Sequence, residues 1–156
     1  MAKRLPAMGI NNYATGFAVT LHPHMLSLPL GWRRPRLVFV NSMSDLFHAE
    51  VPAEYVRAVF DVMAAASQHR FQVLTKRASR MGELAPSLPW PSNVWMGVTV
   101  ENERRVDRIE HLRATPAAVR FLSLEPLLGP LPGLSLSGLG WVIVGGVSGP
   151  RARPMG

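Results

Sequence analysis

Three carboxylates fall just after an apolar run has ended: Asp45 five residues past Val40, Glu101 directly after Val100, and Glu125 directly after Leu124. Two such groups could share acid–base work if they converge, and each could hold a hydroxyl or a cation. All three have polar company. Ser42, Ser44 and His48 surround Asp45, Thr99 and Asn102 flank Glu101, and Ser123 precedes Glu125. Asp45 could position a ribose hydroxyl or act as a base, although Asp and Ser in such a stretch also make turns and caps. Asn102 has a competing use as a helix cap. Thr75, Lys76 and Arg77 close a fourth run, and their cations suit a carboxylate or a phosphate. Gly145, Gly146, Ser148 and Gly149 follow a fifth, where backbone N–H groups could cradle an anion with help from Arg151 and Arg153. That glycine-rich stretch has neither the spacing nor the following helix of a Walker or Rossmann fingerprint.

The runs that carry these residues are Phe17–Leu21, Leu37–Val40, Phe71–Thr75, Val94–Val100, Val119–Leu124 and Trp141–Val144. They are rich in β-branched and aromatic residues and show little polar alternation, as expected of strands covered on both faces. Helix-sized segments separate several of them. Pro52 suits the first turn of a helix to about Ser67, with Tyr55, Val56, Val59, Phe60 and Met63 on one face. A second helix is expected from Ala78, and a third from Asn102 through Leu112. In the third, Val106, Ile109 and Leu112 face inward, and the charged residues from Glu103 to Glu110 form a solvated surface. Pro126–Gly140 reads as an irregular connection, and His24–Gly31 as a short helix.

Repeated β–α units predict an α/β fold with parallel strands. Polar residues after every strand favour an incomplete (β/α)8 TIM-type barrel over an open doubly wound sheet, which gathers them at one switch point. A complete barrel needs about 250 residues. The 156 residues here amount to one partial barrel domain of six strands.

The net charge of +7 makes a polyanionic partner a fair expectation, although arginine-rich composition alone could produce it. No apolar run is long enough to span a bilayer and no signal-like segment opens the chain, so the expected location is the cytoplasm without a membrane partner. With no cysteine, the chain has no thiolate for zinc, for nucleophilic catalysis or for an iron–sulfur cluster. His22 and His24 could bind a metal, but no third ligand lies nearby, and no metal site is expected.

Five motifs, NSMSDLFH at Asn41–His48, QVLTKR at Gln72–Arg77, VWMGVTVEN at Val94–Asn102, FLSLEPLLGP at Phe121–Pro130 and WVIVGGVSGPRARPM at Trp141–Met155, occur in this order. With the opening Met1–Pro23, they resemble a phage-associated, radical-SAM-like family of unknown function, the phage gene-product thirty-seven/sixty-eight proteins. The resemblance implies a radical-SAM-type enzyme that binds S-adenosylmethionine and a [4Fe–4S] cluster through a cysteine triplet. It also implies that this chain starts just after that triplet and stops before the last barrel unit. Val147 stands where the family usually shows glutamate. Three expectations follow. The first is a radical-SAM-like phage or prophage protein of unknown substrate, without cluster-dependent activity as this chain. The second is a non-catalytic nucleic-acid-binding module, and the third a fragment with a misplaced start. Open barrel edges predict self-association.

Overall fold

The computed structural model describes residues 19–147. Its centre is a sheet of five strands, β1 (Leu37–Val40), β2 (Arg70–Thr75), β3 (Val94–Thr99), β4 (Val119–Leu124) and β5 (Trp141–Val144). They lie in the order β1-β2-β3-β4-β5, and every neighbouring pair is parallel. Three α-helices occupy the first three crossovers: α1 (Ala53–Ala65), α2 (Ala78–Leu84) and α3 (Arg108–Arg113). The fourth crossover, between β4 and β5, has neither helix nor strand.

One face of the sheet takes all three helices. Val38, Phe71, Val73, Met96, Val98, Leu122 and Leu124 join Val56, Phe60, Met63, Met81, Ile109 and Leu112 in a single apolar cluster. The helical residues recur at three- and four-residue intervals, which puts them on the sheet-facing stripe of each helix. The strand residues recur at every second position, as the pleat requires. Asn93 ties α1 to the next strand: its side-chain amide donates to the carbonyls of Met63 and His69 at 2.9 and 3.0 Å.

The opposite face is built differently. Phe121 is fully buried there yet stands outside the helix-side cluster. Its ring crosses Gly97 on the neighbouring strand, where a Cβ would overlap it. Trp141 leans on Phe121 at 5.4 Å between ring centroids, and Trp95 meets Trp141 edge-on at 6.2 Å. Toward the sheet edges this face is open, with Leu37 62% exposed, Phe39 44% and Trp141 40%.

Two expectations change. The described part of the expected first strand, Val19–Leu21, is not a strand, and the sheet has five strands among the described residues. Leu21 is followed by two 3-10 turns, Pro23–Met25 and Leu28–Gly31, each with a proline in its first two positions that fixes a helical φ and cannot donate to a ladder. The helix expected from Asn102 is also divided. A 3-10 turn, Glu103–Arg105, comes first and α3 begins only at Arg108, so the charged residues are not one continuous outer surface.

Candidate functional site

Because all five strands run the same way, their carboxyl ends share one edge of the sheet. The loops there are bonded to one another in strand order. Asp45, after β1, accepts through one oxygen from the Thr75 hydroxyl at 2.7 Å and the Phe47 N–H at 3.0 Å. Its other oxygen accepts from the Lys76 N–H at 3.1 Å and the Arg77 guanidinium at 2.9 Å. Four donors fill the carboxylate, so Asp45 fastens the end of β1 to the end of β2.

The next link runs from β2 to β3. Lys76 Nζ lies 2.7 Å from one Glu101 oxygen, and the Arg108 guanidinium donates to the other at 3.0 Å. Arg108 also donates to the Thr99 carbonyl at 2.6 Å. Partial burial raises the Glu101 pKa, but the Lys76 hydrogen bond, a backbone hydrogen bond and the charges of Lys76 and Arg108 outweigh it. The net direction is downward, and Glu101 is a carboxylate at neutral pH.

From β3 the belt continues to β4 and β5. The Leu128 N–H donates to the Glu101 carbonyl and the Leu127 N–H to the Gly145 carbonyl, both at 2.8 Å. The Glu125 side chain lies directly over Gly145, where a Cβ would collide with its carboxylate. Glycine at that position is therefore what lets Glu125 cross to β5. Among the described residues, Glu125 forms no ion pair, and its residue is exposed. Of the three candidate carboxylates it is the exposed one, with no cation on it among the described residues.

The chain belongs to the DUF5131 family, proteins of unknown function. The match spans residues 1–156. The family description assigns no chemistry, neither a radical-SAM relationship nor a phage association. No curated protein and no solved structure matches the chain.

In this DUF5131 chain the remaining candidates divide by position. Thr75, Thr99 and Ser123 are buried under the rim. The Thr75 hydroxyl also accepts from the Arg77 N–H at 2.9 Å, and the Ser123 carbonyl accepts from the Val100 N–H at 2.8 Å. Asn102 caps the 3-10 turn by accepting from the Arg104 N–H at 3.1 Å. Ser42 is exposed, Ser44 accepts from the Asn41 amide at 2.6 Å, and His48 accepts from the Glu50 N–H at 3.2 Å. Ser44 and His48 make local loop structure beside the rim. Asn41 supports the turn with φ of 58°, a left-handed conformation that asparagine tolerates better than most residues. Gly146 is exposed next to Gly145, while Ser148, Gly149, Arg151 and Arg153 lie outside the described residues.

The rim residue missing from the sequence reading is Arg108, assigned there to solvent. Its side chain is only 12% exposed, against 14% for Glu101. A signal existed: a carboxylate at a buried strand end calls for a cation, and Arg108 opens the helix that follows. Among the described residues, no group of three His, Cys, Asp or Glu side chains could hold a metal ion, and no helix is long and apolar enough to cross a membrane.

Proposed function

We propose that this chain forms part of the wall of a (β/α) barrel, and that its carboxyl rim binds a small zwitterionic ligand of the S-adenosylmethionine class. The observation that carries the reading is the unbroken parallel strand order, which supports a singly wound barrel over a doubly wound sheet with a switch point. In barrels, ligands are held by loops after the strands. Glu125, which has no ion pair among the described residues, offers a carboxylate to an ammonium or a ribose hydroxyl. Lys76 is half exposed, and Glu101 engages one of its three N–H donors, so it can also meet a carboxylate. Glu101, held ionised between two cations, positions Lys76 and Arg108 and is not suited to deliver a proton.

The iron–sulfur cluster implied by the sequence resemblance does not fit the residues present. It requires thiolates, and this chain has no cysteine. No step through a cluster is assigned to the chain, and the radical-SAM-like phage reading is retained only for the barrel and the cofactor class.

Titration calorimetry with S-adenosylmethionine tests the proposal. Binding by the wild-type chain, weakened tenfold or more in Glu125→Gln without a change in melting temperature, is the expected result; about 1.4 kcal/mol corresponds to that factor. Absence of heat at saturating ligand, or equal affinity in the variant, overturns it. Iron and sulfide reconstitution is the companion measurement, and a stoichiometric cluster on the isolated chain overturns the exclusion.

A further inference from the structure

The amino ends of the strands have a character of their own. Arg33, Arg34, Arg36 and Arg70 are all exposed there, and among the described residues none of them forms an ion pair. No Asp or Glu occurs in the first 44 residues of the chain, so the segment entering β1 is purely cationic. Two of these guanidiniums lie over indoles, Arg36 at 4.7 Å from the Trp32 ring centroid and Arg70 at 5.8 Å from that of Trp95. The Arg70 N–H donates to the Arg36 carbonyl at 2.8 Å, which sets the two stacks side by side.

The patch is held in place from beneath. His69 is fully buried, and its Nδ1 accepts from the Arg36 N–H at 3.2 Å. The proton is therefore on Nε2, which donates to the Pro29 carbonyl at 2.9 Å. The Trp32 ring packs on this imidazole at 5.5 Å. One buried ring thus fixes the backbone before Arg33, the backbone of Arg36 and the indole that Arg36 covers.

We propose that this edge binds single-stranded nucleic acid, with phosphates on the free guanidiniums and bases stacked on the guanidinium–indole planes. Arginine forks match phosphate oxygens in pairs. Bases stack readily on aromatic rings and on arginine planes, and a single strand exposes its base faces as a duplex does not. An anionic membrane would answer the charge, but both indoles are half-buried under guanidiniums and are not bare anchors for a bilayer interface. The inference is independent of the ligand proposed for the carboxyl rim, which lies at the other end of the strands.

The test is fluorescence anisotropy with a labelled oligothymidylate, read as a function of salt. Engagement of four arginines predicts a log–log salt slope of about −3, at roughly −0.7 per phosphate on a single strand. The triple variant Arg33→Gln, Arg34→Gln, Arg36→Gln should lose about 2 from that slope and weaken binding roughly tenfold or more at low salt. Arg57→Gln, which removes an exposed arginine already paired with Asp61 at 3.1 Å, should bind like wild type. An abasic strand of equal length should bind more weakly than oligothymidylate. The proposal is overturned if the wild-type chain fails to bind at low salt, if the triple variant binds as tightly as wild type, or if the abasic strand binds equally. Binding to phosphatidylglycerol vesicles without binding to the oligonucleotide overturns it in favour of a membrane surface.

Discussion

At the carboxyl rim, Arg77 closes on Asp45 and Arg108 on Glu101, each at 3.0 Å or less. At the amino edge of the same sheet, Arg33, Arg34, Arg36 and Arg70 face solvent, and two of them lie on indoles instead of carboxylates. The residue type is the same and the physics differs. A half-buried arginine beside a carboxylate joins neighbouring strands, and removing either partner leaves a charge stranded. An exposed, unpaired arginine does little for folding and keeps its donors for a partner. Net charge alone conceals this division, because paired and unpaired cations count equally in it.

The comparison is most easily broken at Asp45. Asp45→Ala leaves the buried Thr75 hydroxyl, two backbone N–H groups and Arg77 without their acceptor, so a loss of about 3 kcal/mol is expected in urea unfolding. A loss below about 1 kcal/mol would mean that the clamp contributes little. Glu101→Gln comes next, at about 2 kcal/mol, since it removes the charge from two charged hydrogen bonds. It also carries a pH signature. The folded pKa of Glu101 is lowered, so its contribution is fully present above the ordinary glutamate value of about 4.3 and is lost as pH falls through the lower folded value. Wild type should therefore lose more stability than Glu101→Gln across that acid range. Equal slopes would remove Glu101 from the network.

Smaller effects sharpen the contrast. Glu125→Gln should change stability by no more than about 0.5 kcal/mol while it weakens ligand binding at the rim. Arg34→Gln should likewise leave the melting temperature within about 2 °C of wild type, the measurable loss falling on oligonucleotide affinity alone. A large stability loss at Arg34 would erase the difference between the two ends.

Much of the frame is legible in the chain because apolar runs are local signals. Leu37–Val40, Val119–Leu124 and Trp141–Val144 are strands with the expected limits, and α2 begins at Ala78 as its pattern suggests. The side-chain partners are harder to read, because they depend on register. Trp95 meets Arg70 only because β2 and β3 pair with Gln72 opposite Trp95, which no linear spacing discloses. Arg108 escaped for a related reason. A continuous helix from Asn102 would turn it outward, whereas the intervening 3-10 turn resets the phase and brings it back to Glu101. Asn93, which bonds the carbonyls of Met63 and His69, looks in sequence like an ordinary loop residue.

The phenyl ring laid across Gly97 also fills the space between two strands beneath the rim. Phe121 is two residues below Ser123 on β4, roughly 7 Å at the usual strand rise. Being fully buried at that depth, the ring is packing and not a surface open to solvent. Phe121→Ala would leave a void beside Gly97 and should cost about 3 kcal/mol or more in urea unfolding, whereas a loss below about 1 kcal/mol would show that the neighbouring rings collapse into the space.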